Sequence, residues 1–268
     1  MKQIQIILLV LVFAFISSCQ KVIHVNLNAA APQFVIEANI EDSIPNYQVV
    51  ITKTVSFEQD NVFPAVSGAL VLITDSNNNH TDTLKEISTG IYQVTVSKLP
   101  SPGITYQLYI NAGGSVFTAT SIMPQKVYLD SISVQKSPFR GNLQFVPVYQ
   151  DPIAKGNSYH FIEYVNGVAG DGIYVRNDNL VNGQVATQPL GGGGVKSGSG
   201  PNGSIASGDL VQISLECIDA NVYEYYFTLS QVTNQNSATP SNPKTNINGG
   251  ALGYFSAHTS STKSIIVP

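Results

Sequence analysis

From residue 34 onward the chain alternates apolar and polar residues over short runs, a period of two that sets every second side chain on one face of an extended strand. This pattern builds sheets. The runs begin with FVIEANI (34–40) and YQVVITKTV (47–55), then ALVLIT (69–74) and a polar strand through Leu84 and Ile87. IYQVTV (91–96), ITYQLYI (104–110) and VFTATSI (116–122) complete seven strands in about ninety residues, the density of an immunoglobulin-like or transthyretin-like sandwich. Tyr92, Val94 and Val96 share one face of a pleat, as do Tyr106, Leu108 and Ile110.

MPQK at 123–126 reads as a boundary, after which the pattern resumes at 127–134, 143–149 and 159–165. Asn166-Gly167, Asp171-Gly172 and Asn182-Gly183 suit tight hairpin turns because both positions tolerate positive φ. Residues 190–203 form a glycine loop, and 210–218 a buried strand that carries Cys217 on its apolar face. Asp219 then suits an N-cap, and Val222, Tyr226, Leu229 and Val232 fall at helical spacing, predicting one helix near 220–235. Of the helix aromatics Tyr223, Tyr225, Tyr226 and Phe227, Tyr225 is expected to reach the surface. Residues 239–250 read as a loop, and 251–257 and 264–267 as two final strands. The expected fold is mainly β: two β-sandwich-like domains at 33–123 and 127–268, the second holding the helix.

Composition narrows the partners. Charged residues are only 11% of 268, with 13 basic against 17 acidic. Phosphate binding needs clustered Lys and Arg, so nucleic acid is not an expected partner. Trp is absent, which weakens a glycan-stacking platform. The two cysteines allow at most one disulfide, and the first has another use.

Met1, Lys2 and Gln3 precede an unbroken apolar run from Ile6 through Phe15. A membrane-spanning helix needs ~20 such residues, so the run is the core of a secretory signal at 1–18. Ile16-Ser17-Ser18-Cys19 follows at once and resembles the lipobox of bacterial lipoproteins. That resemblance implies acylation of the Cys19 thiol, which becomes the first residue of the mature chain, with palmitate among the expected chains. Two or three acyl chains anchor a protein stably in a membrane. Residues 19–32 then read as a lipidated tether. Gln20-Lys21 resembles the start of surface-displayed bacterial lipoproteins, in which acids follow the basic residue, but Val22 and Ile23 stand there, which leaves cell-surface and periplasmic orientations both open.

With the lipobox and tether, the segments VSGALVLITD, GIYQV, GITYQLYI, LECIDANVYEYYFTLSQ and, most specifically, NPKTNINGGALGYFSAHT resemble the Bacteroidota lipoprotein family labelled domain of unknown function 4249. The resemblance covers nearly the whole mature chain. It implies a two-part outer-membrane lipoprotein, often encoded beside TonB-dependent transporters, and supplies no catalytic or ligand residues to carry over.

Chemical signatures are sparse. Asp75, Asn77, Asn79 and Glu86 fall at positions 1, 3, 5 and 12 of an EF-hand loop. His80 occupies the place that needs Gly, and the flanks are strands, so a polar hairpin turn is the first expectation and calcium the alternative. GGGGVKS (191–197) has Val195 where a phosphate loop needs Gly. His24, His80, His160 and His258 are scattered, and an odd separation sets His160 and Glu163 on opposite faces of one strand. No Gly-x-Ser-x-Gly elbow is present. No catalytic residue, cofactor or metal is therefore expected, and Cys19 is the one modified position. The expected function is a non-enzymatic accessory or ligand-presenting component of a TonB-dependent uptake system. A stand-alone adhesion or envelope-structural lipoprotein is the alternative.

Overall fold

Two face-to-face layers of strands come out of the alternation, and then two more. The computed structural model describes residues 31–56, 62–96, 98–138, 141–191, 197–233 and 241–268. The leader, Cys19, His24 and most of the tether lie outside the described residues, as does 192–196 of the glycine loop.

The first layers use β1 (Phe34–Glu41), β2 (Asn46–Lys53), β3 (Leu70–Asp75), β4 (His80–Ser88), β5 (Ile91–Thr95), β6 (Thr105–Ala112) and β7 (Ser115–Ile122). The second half supplies β8 (Leu129–Lys136), β9 (Leu143–Gln150), β10 (Ser158–Val165), β11 (Val168–Ala169), β12 (Tyr174–Asn177), β13 (Val185–Ala186) and β14 (Leu210–Ile218). Helix α1 (Ala220–Thr233), β15 (Ile247–Asn248) and β16 (Leu252–Ile266) close the chain. The protein is mainly β, with one α-helix among the described residues.

One hydrogen-bonded path runs β11-β10-β14-β16-β1-β2-β5-β4-β3-β6-β7-β15, with β12 also on β10, and β13-β9-β8 form a separate sheet. Strand β4 belongs to both layers of the first sandwich: its start, to Leu84, pairs with β3, and from Lys85 it pairs with β5, with a register shift between Glu86 and Ser88. Such an irregularity bends a strand, and here it turns the sheet back over its own core. Ile36, Val49, Ile51, Val71, Tyr92 and Ile110 fill that core. A second core lies between the short sheet and β10-β14, where Phe145 and Tyr149 meet Tyr159, Phe161, Ile213 and Leu215.

The cores are not drawn from separate lengths of chain. Ile247, Ala251, Phe255 and Ala257 belong to the first. Strand β16 explains why: Leu252 through His258 lie parallel to β1, and Thr259 through Ile266 lie antiparallel to β14. The two strands expected at 251–257 and 264–267 are thus one strand of 15 residues. The intervening HTSSTK is polar and carries no alternation of its own, but its backbone stays paired while its partner changes.

Local signals hold where turn chemistry is strong. Asn166 and Gly167 take φ of 51° and 80° in the β10–β11 hairpin. Asp219 caps α1, its Oδ1 accepting from Asn221 N at 2.9 Å and Val222 N at 3.0 Å. Its Oδ2 accepts from Ile122 N at 3.2 Å and from the Ser121 hydroxyl, tying the helix start to β7. The helix aromatics need a correction. Tyr225 is buried at 8% exposure, and Phe227 is the exposed ring at 40%. The helix lays Tyr225 and Tyr226 on Tyr254 of β16, which leaves Tyr223 and Phe227 to stack on each other outside. No helix among the described residues is long and apolar enough to cross a membrane.

Candidate functional site

Where β16 changes partner, the outer face of the long sheet becomes polar. Register alone aligns Gln93 with Gln48, Gln48 with Asn39, and Asn39 with Ser256 across four neighbouring strands. One step along, Glu41 faces His258, and on the far side His160 faces Glu216. All of these occupy the solvent-facing phase of strands whose other phase fills the cores. The edge of α1 stands over one side of this row and converts it into a groove of about 370 Å³. Asn39, Glu41, Gln48 and Gln93 line one wall, and Glu216, Tyr226, Tyr254 and His258 the other.

Glu216 organises the deep wall. Its Oε2 lies 2.8 Å from His160 Nδ1, and its Oε1 lies 3.7 Å from His258 Nε2. Burial pushes the Glu216 carboxyl up, but His258 and then His160 outweigh it and hold the group below the usual carboxylate range. Tyr226 stacks on the His160 ring at 4.1 Å, with the planes 11° apart. Burial also raises the Tyr226 and Tyr254 phenols, so both stay protonated, and Asn39 Nδ2 donates to the Tyr254 hydroxyl at 3.2 Å.

Ser256 Oγ lies 3.0 Å from His258 Nδ1, so Ser256, His258 and Glu216 follow the order of a hydrolase relay. Access decides what that relay can do. Ser256 is 2% exposed and does not line the groove, so its hydroxyl is closed off from a substrate there. The carboxylate fills the space between the two imidazoles, and among the described residues no group of three or more His, Cys, Asp or Glu side chains is placed to hold a metal ion. What the wall offers is a fixed set of donors and acceptors.

The structure disperses the loop acids. Asp75 and His80 face each other at the β3–β4 turn, where Asp75 Oδ1 accepts from Asn77 N at 2.8 Å and Asn79 takes φ of 54°. Glu86 is six residues further along β4, about 20 Å at strand rise. Its carboxylate accepts from Gly68 N and Gly90 N at 3.0 Å each and from Ser67 Oγ at 2.9 Å, which lowers its pKa. Asp75 and Glu86 therefore do not meet. Cys217 is buried at 2%, its sulfur accepting from Val127 N at 3.3 Å.

Sequence reasoning missed His160, Glu216 and His258 as a set, because they come from three strands far apart in the chain. A signal did exist: each occupies the outward phase of its strand and is nevertheless mostly buried, a combination visible only once α1 is laid across the sheet.

The fold and groove define a mainly-β protein of two sandwiches sharing a strand, with a polar groove where that strand crosses between them. A family model described as Domain of unknown function (DUF4249) matches residues 20–264, and the chain belongs to that family. No curated protein matches the chain.

Proposed function

We propose that this protein is a non-enzymatic, lipid-anchored outer-membrane component of a TonB-dependent uptake system, and that the groove beside α1 holds a polar ligand for presentation to the transporter. The observation that carries the binding reading is the groove's lining: amides, carboxylates and tyrosine hydroxyls aligned by sheet register, with its buried charges already engaged by one another. Pre-placed donors and acceptors of this kind suit a hydroxyl-rich ligand, since each ligand polar group must exchange water for an equivalent partner. The ionisable groups at Glu216 are occupied by each other and the relay serine is covered, so the site favours binding over bond cleavage. The lipobox at 16–19 and membership of the family support the anchor and the membrane setting.

Three measurements test this. A C-terminally tagged chain, captured from gently solubilised membranes, is expected to bring a TonB-dependent transporter with it. Recovery of the lipoprotein alone, together with adhesion of the purified chain to cells or matrix, overturns this in favour of the stand-alone envelope reading. Cys19→Ala is expected to abolish palmitate labelling and membrane retention. Ester hydrolysis by the wild type that disappears in Ser256→Ala would sink the non-enzymatic assignment.

A further inference from the structure

A second cavity, of about 460 Å³, opens at the other side of β10, beneath the β8–β9 hairpin. It is lined by Lys136, Asn142, Leu143, Ser204, Ile205 and Glu163. Glu163 is the anomaly. It shares the inward phase of β10 with Tyr159, Phe161 and Val165, each fully buried in the second core, and is itself 2% exposed. Among the described residues its Oε1 has no hydrogen-bond partner, and no ion pair reaches its carboxylate. Lys136 lines the same cavity without pairing to it. Desolvation is the one cause that acts on the group, and it pushes the carboxyl up to about 7. A buried, unpaired carboxylate is costly and is ordinarily matched by a cation.

We propose that this cavity is a binding site for a small ligand bearing an ammonium group, which pairs with Glu163. The chemistry follows from the lining. A divalent cation needs several hard oxygen ligands, and Glu163 is the one Asp or Glu side chain among the described residues that line the cavity. An ammonium group needs one carboxylate and one or two neutral acceptors, which Glu163, Ser204 and Asn142 can offer, while Leu143 and Ile205 suit an attached alkyl chain. The volume is that of a small-molecule pocket. Binding draws the ionised form of Glu163, so where the carboxyl is protonated, a proton is released to solvent as the ammonium enters. This site is independent of the groove beside α1.

Calorimetric titration of the full chain with n-butylammonium chloride tests the assignment, with n-butanol and calcium chloride as control probes. Saturable binding of butylammonium but not butanol is expected, about tenfold tighter at pH 8 than at pH 6 because the ionised fraction of Glu163 changes by that factor across a pKa near 7. Glu163→Gln, which keeps size and removes charge, is expected to weaken binding at least tenfold while the variant melts cooperatively. Lys136→Met, which removes a like charge from the cavity wall, is expected to keep or tighten ammonium binding, never to abolish it. Nα-acetyl-lysine amide carries the same ammonium on a peptide unit; binding of either probe supports the site, and the tighter one names the source as a free amine or a protein lysine. Four results overturn the proposal: no saturable binding of either ammonium probe, binding unchanged in Glu163→Gln, calcium binding in place of the amine, or amine binding that appears only after Lys136 is removed.

Discussion

Gly253 has no room for a methyl group. Its φ is +98°, and a Cβ built there would lie 1.9 Å from the Ile36 carbonyl oxygen, in the parallel contact between β16 and β1. Gly249, at +101°, meets the Val116 carbonyl in the same way. Gly249 and Gly253 of NGGALG are thus demanded by close backbone approach, and Gly250 by its φ of +86°, which gives a physical reason for the motif that most strongly marked the family. Gly253→Ala is expected to destabilise the protein by on the order of 3 kcal/mol, read as a lower denaturation midpoint at unchanged slope. Glu216 makes a different residue-scale prediction. Because its folded pKa is depressed, its contribution is present above the ordinary carboxylate range and is lost as pH falls through the lower folded value. Glu216→Gln should therefore be less stable than the wild type near neutrality, and the gap should close as pH drops below about 4. A gap that stays constant from pH 7 to pH 3 would refute the electrostatic role of the two histidines.

At the scale of elements, α1 is held by its inner ring and its cap rather than by its outer rings. Tyr225→Ala removes a buried ring packed at 4.8 Å on Tyr254 and should cost about 3 kcal/mol. Phe227→Ala, at the exposed position, should cost less than about 1 kcal/mol. Thermal melts of the two variants check the order, and the reverse order would mean that the helix is rotated. The sequence could place this helix and its Asp219 cap because both depend on neighbours within one turn. It could not choose the buried face: four consecutive-turn aromatics leave the helical phase ambiguous, and only the position of Tyr254 and His160 on the sheet resolves it. The same limit applies to β16, whose polar middle carries no strand signal of its own and is extended only because β14 pairs with it.

For the whole molecule, β16 is the shared part. Phe255 is fully buried in the first core, and from Thr259 the same strand pairs with β14, whose Val211, Ile213 and Leu215 fill the second. Phe255→Ala is expected to lower the unfolding midpoint by an amount corresponding to about 3–5 kcal/mol and to shift both cores together, so that tyrosine fluorescence and far-UV dichroism report one transition. Two transitions, of which only the earlier moves, would show that the cores unfold separately. The amino-acid sequence by itself determined what depends on short range: the period of two that makes strands, the Asn166-Gly167 turn and the Asp219 cap. The tertiary structure alone decided which distant strands become neighbours. Register across β10, β14, β16 and β1 brought His160, Glu216, His258 and Asn39 to one groove, and packing of the second sandwich left Glu163 in an inward phase with no ion-pair partner among the described residues. Neither is encoded locally, because a strand's alternation says which face a side chain takes but not what the facing strand will set beside it.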